Sequence, residues 1–408
     1  MRLETDKAPE EVVALAKRAW IQMRYMHPAL TVTADLRGFT YCPPHNQLEV
    51  DEWANKTFIV QESDSSMGDE DFQSFAGAPA TEQATLYHFP KENRFILRSN
   101  HMLTDGHGVA MFFRDFLNEM ARLESESEII REPLDKEAQC LPCGIFECIS
   151  AFSPHGTSTF SRPRLQPHEE AVIIPSKNSE SDPGPGRAQF LKFSQQQTKE
   201  ILAITKDSGL KLTAFLHAAI IHAGTKMTPC SPGTKHSTNI IFNLQKVCHG
   251  GPPNAESRAS MLRIGFWPVQ VQIEDNVYQT AARLKPEYSL IANQKEAVVA
   301  AMVPRLHQLT SVVGIRASYQ GILPSFIGDI SSMLLGIYGS FKTREIWMVA
   351  LPLDERVYLG IQTFDGRLSI RAAYNETYHD DSQVAEFLEK IKQEIQIALM
   401  RIANGLDN

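Results

Sequence analysis

The segment that most restricts how this chain can fold lies around residue 100. There an alternating run passes straight into a glycine-bearing turn and then into an apolar helix. Residues 94–100 (RFILRSN) put Phe95 and Leu97 on one face and Ile96 on the other, the period of a strand. The polar turn His101-Met102-Leu103-Thr104-Asp105-Gly106-His107-Gly108 follows. Val109, Phe112, Phe113, Phe116, Leu117 and Met120 then recur at helical spacing. A strand and a helix joined this tightly call for a layered arrangement, with helices covering a sheet. The turn also carries chemistry. An imidazole takes up a proton near neutral pH, so His101 suits general-base work. Asp105 stands at a bend that an ion pair could lock, and Gly106 and Gly108 allow backbone conformations closed to other residues. The plainer reading makes His101 a hydrogen-bonded loop histidine and Asp105 the cap of the next helix.

The same mixture of elements recurs on both sides. A helix is predicted from Pro9, with Asp6 as cap, Glu10 and Glu11 at its positive end, and a stripe of Val12, Leu15, Ala16, Ala19, Trp20 and Met23. Short strands are predicted over 31–34 and 57–61, and residues 63–80 read as a surface loop. Residues 133–187 are rich in Pro, Ser, His and Gly and read as a linker or crossover, which divides the chain into 1–187 and 188–408. The second half restarts with a strand at 188–193, a helix capped by Ser194 and ended at Gly209, and an apolar helix from Leu212. A strand over 237–245 and helices over 275–285 and 297–309 come next. Strands over 346–351, 357–364 and 368–374 follow, the last two joined by a hairpin through Asp365-Gly366. A final helix begins at Asp381-Ser382. Each half thus mixes strands and helices.

Length and composition exclude other classes. A chain of 408 residues has room for two domains and a large core, and 43% hydrophobic with 22% charged residues is ordinary globular usage. The net charge of −8 argues against a broad nucleic-acid surface. No apolar run reaches a membrane span, and no export signal is seen, so a cytoplasmic monomer is expected. Six cysteines, with Cys140, Cys143 and Cys148 lacking partners at zinc spacing, give no disulfide framework and no metal site.

His-x-x-x-Asp-Gly between a strand and a helix resembles the active-site motif of the thioester-dependent acyltransferase superfamily. That group includes chloramphenicol acetyltransferase, BAHD and trichothecene-type acetyltransferases, and condensation domains of peptide synthetases. Residues 19–30 (AWIQMRYMHPAL) resemble the family's first helix. Residues 193–223 resemble the helix-turn-helix of its second half, and residues 359–381 its late hairpin and final helix entry. The resemblance implies an α/β (α+β) chain of two chloramphenicol-acetyltransferase-like subdomains, each a mixed sheet covered by helices. They form a V with a tunnel between them. It implies His101 as general base, Asp105 as a structural residue of the loop and Gly106 as the residue that permits the turn.

On this reading an acyl group passes from coenzyme A, or less readily a carrier protein, to a hydroxyl or amine of a small secondary metabolite. No cofactor is bound permanently, and acyl-coenzyme A is a co-substrate. A base alone supplies about 10²–10⁴-fold, so a donor to the oxyanion is also expected. Ser331 and Ser332 are the candidates, the plainer reading being a turn or cap hydroxyl. His107 could face the tunnel. Lys342 and Arg344 could meet a coenzyme A phosphate, or form a solvated surface pair. Condensation domains carry a further histidine where this chain has Asn100, which argues for a free-standing transferase. Where relatives place an arginine for the motif aspartate, this chain has Gln245, leaving Arg263, another arginine, or hydrogen bonds alone. The Asp-Phe-Gly-Trp-Gly signature of BAHD proteins is absent. His217 and His222 read as core histidines, and Trp20, Trp267 and Trp347 as core. The alternative is a cyclase or pericyclase on the same scaffold, acting on a polyketide- or terpenoid-type substrate without a thioester.

Overall fold

The computed structural model describes residues 1–35, 38–61, 82–126, 128–129, 134–142, 144, 172–179, 181–230, 233–245, 262–294, 298 and 321–407. The loop expected at 63–80, most of the 133–187 segment, Cys143, Cys148 and the helix expected over 297–309 (Val298 apart) lie outside these.

In chain order the strands are β1 (Arg2–Glu4), β2 (Thr33–Asp35), β3 (Gly38–Thr40), β4 (Phe58–Val60), β5 (Thr85–Phe89), β6 (Arg94–Arg98) and β7 (Gly186–Lys192). They continue with β8 (Lys235–Asn243), β9 (Ile264–Gln272), β10 (Ile322–Asp329), β11 (Ile337–Tyr338), β12 (Phe341–Glu345), β13 (Val357–Phe364) and β14 (Arg367–Asn375). The helices are α1 (Pro9–Met26), α2 (Gln47–Thr57), α3 (Gly106–Ser125), α4 (Gln195–Asp207), α5 (Leu212–Met227), α6 (Val277–Asn293) and α7 (Asp381–Ala403).

Two mixed sheets organise the chain. The first has six strands in the order β11-β12-β1-β6-β5-β4, with β4 and β5 parallel and the other pairs antiparallel. Its helices are α1 to α3. α1 opens on a proline, whose missing N–H is no loss at the first helical position. Ala8 precedes it with no side-chain bond, so Asp6 does not cap it. The predicted stripe from Val12 to Met23 is buried, and Trp20 stacks on Trp53 at 5.1 Å. His27, at the end of α1, bonds Asp115 of α3 at 3.0 Å inside the protein. That contact fixes the helix that follows the His101 turn.

The second sheet has four strands, β10-β13-β14-β7, with β10 and β13 parallel. α4 to α7 pack on it, beside the antiparallel ribbon β8–β9. Ser194 caps α4 in a reciprocal box with Gln197. Gly209 ends the following turn with φ +69°, and Asp365-Gly366 turns the β13–β14 hairpin with φ +49° and +67°.

The strand expected over 346–351 is displaced: β12 precedes it, and residues 346–350 form no ladder. Ile346 offers its carbonyl to the Gln362 side-chain amide at 2.7 Å instead. β1, β3, β5, β9, β10, β11 and β12, and the helix α2, were not read from the sequence. Residues 337–345 pair into the first sheet although they follow β10, and Ile330, Leu334 and Phe341 belong to the first core. The opposite face of β5–β6 meets the second sheet through Tyr87, Phe89 and Ile96 against Ala188.

Candidate active site

The His101 turn is shaped by its neighbour. Asn100 Oδ1 accepts from the Met102 backbone N–H, and the Asn100 carbonyl from Leu103 N–H, both at 2.9 Å. This closes one 3₁₀ turn over His101–Leu103. It brings His101 Nδ1 to 2.8 Å from the Thr104 carbonyl oxygen. A carbonyl can only accept, so Nδ1 carries the proton in the neutral ring. Nε2 keeps its lone pair, and the side chain is exposed rather than packed away.

Asp105 is 5% exposed and follows in extended backbone. Its Oδ1 accepts from Gly108 N–H at 2.9 Å and caps α3. Its Oδ2 accepts from the Arg263 backbone N–H at 2.7 Å. The acceptor role and Arg263, both left open by the sequence, thus meet in a main-chain bond. One buried carboxylate holds the turn, the helix and the approach to β9 together.

Neither Gly106 nor Gly108 is among the glycines with positive φ, so the expected conformational reason is corrected. Both lie within α3. Gly106 is needed for closeness instead: a Cβ there would stand 3.1 Å from the Ile327 side chain.

A cavity of about 440 Å³ opens beside the turn. His101, Asn100 and Thr104 border it, Val109, Phe113 and Ile327 form an apolar wall, and Trp347 and Tyr358 face it from the second half. Both of these last residues escaped the sequence reading. Trp347, expected in the core, is partly exposed because residues 346–350 cross the cavity edge rather than joining a ladder. Tyr358 is the second residue of β13. Burial pushes its phenol up; a hydrogen bond with Ser325 opposes this, and the Asp105 carboxylate adds to it. The phenol therefore stays protonated and able to donate.

The other predicted residues fall elsewhere. His107 is the second residue of α3, and it, Ser331 and Ser332 are absent from the lining of this cavity. Ser331 Oγ accepts from the Asp365 N–H at 3.1 Å, serving the hairpin turn, and Ser332 is exposed. Lys342 and Arg344 are exposed on β12, away from His101. His217 and His222 are core residues as expected. His217 Nδ1 meets Tyr288 Oη and His222 Nε2 meets Thr280 Oγ1, each at 2.9 Å. Burial lowers their pKa values to about 3 and about 4. Trp20 and Trp267 are buried. Among the described residues no helix is long and apolar enough to cross a membrane.

A strand–turn–helix segment that sets an exposed histidine beside a cavity, bordered by residues of two helix-covered mixed sheets, defines the class. The fold is that of chloramphenicol acetyltransferase-like and condensation-domain proteins. The 15-O-acetyltransferase TRI3 of Fusarium sporotrichioides matches with a TM-score of 0.70 at 15% identity, covering 98% of this chain and 88% of its own. The epimerization domain from the third module of tyrocidine synthetase B matches with a TM-score of 0.60 at 12% identity, covering 98% and 91%. No family model matches. Two similar proteins from Monascus ruber carry acetyltransferase names. The O-acetyltransferase pigM is 24% identical over 97% of this chain and 77% of its own; the acetyltransferase pigO is 23% identical over 94% and 85%. The chain is thus similar in sequence to acetyltransferases and shares the fold of these solved structures, which supports an acyltransferase enzyme.

Proposed function

We propose that the chain moves an acyl group from coenzyme A to a hydroxyl or amine of a small secondary metabolite, with His101 as base. The observation that carries this is the imidazole held by the Thr104 carbonyl at the edge of the cavity, which leaves Nε2 as acceptor. The acceptor's proton goes to Nε2 as its oxygen or nitrogen attacks the thioester carbonyl. A tetrahedral oxyanion forms, then collapses as the C–S bond breaks. The thiolate leaves with the proton that His101 held. Tyr358, facing the same cavity, replaces Ser331 and Ser332 as the candidate donor to the oxyanion. Asp105 acts on the chemistry only by positioning the turn. The 15-O-acetyltransferase and the acetyltransferase names of the relatives favour acetyl as the first group to try and a secondary metabolite as acceptor. The cavity, bordered by residues of both halves, is read as part of the passage between them.

The test is thiol release from acetyl-coenzyme A over a panel of alcohols and amines. Release is expected with the wild type and lost in His101→Ala. Conversion of a polyene or enol by the wild type, with no thioester consumed, would instead establish a cyclase.

A further inference from the structure

One part of the wall beside His101 is an aromatic ring that the second half holds in place. Trp347 belongs to the run 346–350 that crosses the cavity edge. The chain is pinned on both sides of it. The Gln362 amide holds the Ile346 carbonyl at 2.7 Å. Gly360 lets the Met348 carbonyl lie so close that a Cβ there would stand 3.2 Å away. Ile346 and Met348 are buried in the first core, and the Trp347 side chain between them packs elsewhere. It meets Phe190 of β7, with ring centres 6.1 Å apart, and Arg371 of β14, whose guanidinium lies over it at 5.1 Å from the ring centre. Arg371 is 2% exposed and stands 5.1 Å from the Phe190 ring as well. A buried cation over an indole holds the ring in one orientation. A ligand that stacks on a ring already ordered has little freedom of the wall to remove.

The other lining residues restrict the occupant further. Val109, Phe113 and Ile327 make the wall apolar, and the rim runs through Leu351 to Leu353, which is 76% exposed. Charge is scarce. Among the described residues that line the cavity the only carboxylate is Asp105, and both its oxygens are taken by backbone N–H groups. Arg98 adds a positive charge to the border. An alkylammonium entering here gives up its water, finds no open counter-charge and faces Arg98. It must also lose its proton before it attacks, since alkylamines are protonated near neutral pH. An alcohol bears neither cost.

We propose that the acceptor is a neutral alcohol carrying a flat, conjugated ring, and that Trp347 selects it by stacking. This rests on the acyltransfer reading and narrows it. The charge of the cavity favours alcohol over amine, and one indole favours a flat ring over a puckered one.

Three probes of one skeleton separate these features: 2-naphthylmethanol, 2-naphthylmethylamine and the saturated decahydro-2-naphthylmethanol. Each is titrated calorimetrically near neutral pH with no thioester present. The wild type is expected to bind naphthylmethanol at least about tenfold more tightly than the amine. It should bind it about two- to tenfold more tightly than the saturated alcohol. Trp347→Leu should abolish the preference for the flat alcohol and leave the preference for alcohol over amine as it was. Trp347→Met serves as a second ring-free variant, Trp347→Phe should keep most of the stacking preference, and a thermal melt checks each fold. Failure of the wild type to bind naphthylmethanol, or the same flat-to-saturated ratio in wild type and ring-free variants, overturns the role of Trp347. An amine bound as tightly as the alcohol overturns the choice of alcohol. Thiol release from acetyl-coenzyme A is then measured with the same probes. Binding that depends on Trp347 without thiol release from any thioester keeps the selective wall and removes the acyltransfer reading. Thiol release with no preference for the flat alcohol keeps that reading and removes the selective wall.

Discussion

His101 and the α5 histidines offer the same side chain in opposite settings. His217 and His222 are packed into the second half, each with a hydroxyl partner, and burial holds them neutral well below ordinary imidazole range. His101 is exposed; a single backbone carbonyl fixes its tautomer and leaves the other nitrogen open. Burial and a hydrogen bond make a structural histidine. A fixed tautomer with an open lone pair beside a cavity is what the proposed base requires. The difference lies in the turn, not in the residue.

The largest expected break in this contrast comes from His101→Ala. Its turnover should drop about 10²–10⁴-fold, while its melting temperature stays near that of the wild type. His217→Phe should do the reverse, losing about 1–3 kcal/mol of stability because Tyr288 Oη is left without its partner. If kcat assays find the His217 variant inactive but stable, the contrast is wrong. Tyr358→Phe sharpens the picture from across the cavity: kcat should fall about 10²-fold with KM changed little, as for loss of an oxyanion donor. A KM effect alone would make Tyr358 a substrate contact.

Asp105→Ala should cost about 2–3 kcal/mol, measured by denaturant titration, because it removes a helix cap and strands the buried Arg263 N–H. Gly106→Ala adds a methyl against Ile327 and should cost about 1 kcal/mol or somewhat more.

The buried histidines also set an acid limit. Burial lowers His88 and His222 to about 4 and His217 to about 3. Unfolded imidazoles bind protons from about pH 6.5 downward while these folded ones do not. Their contribution is therefore complete above about pH 6.5 and is lost as pH falls toward 4. The slope approaches about 1.4 kcal/mol per pH unit for each histidine. Melting temperatures across pH 7 to 4 check this; a flat profile would mean these rings are protonated in place.

Local signals were legible in the sequence and tertiary ones were not. The α1 stripe, the Ser194 cap, the Asp365-Gly366 hairpin and the strand–turn–helix around His101 each rest on residues close together in the chain. Asn100 could be read only as a departure from a related pattern, yet it folds the turn. Three-residue β1 is too short to give a period. The segment at 346–350 looks like a strand because its apolar residues line a cavity rather than a ladder. Tyr358 beside the cavity and the Trp347–Arg371 stack arise only when distant strands meet. One signal was available: Arg371 interrupts Leu368, Ile370 and Ala372 in a buried strand, and a charge rarely sits there without a reason.

The placement of β1 has a consequence for how the protein is made. Arg2 pairs with Arg94 on one side, and residues 2–4 pair with 342–345 on the other. β1 therefore waits until residues 342–345 have been made before its second neighbour exists. Pairing so remote in sequence is slow to form and leaves a sticky edge open meanwhile. A fragment of the first half alone would carry that edge permanently.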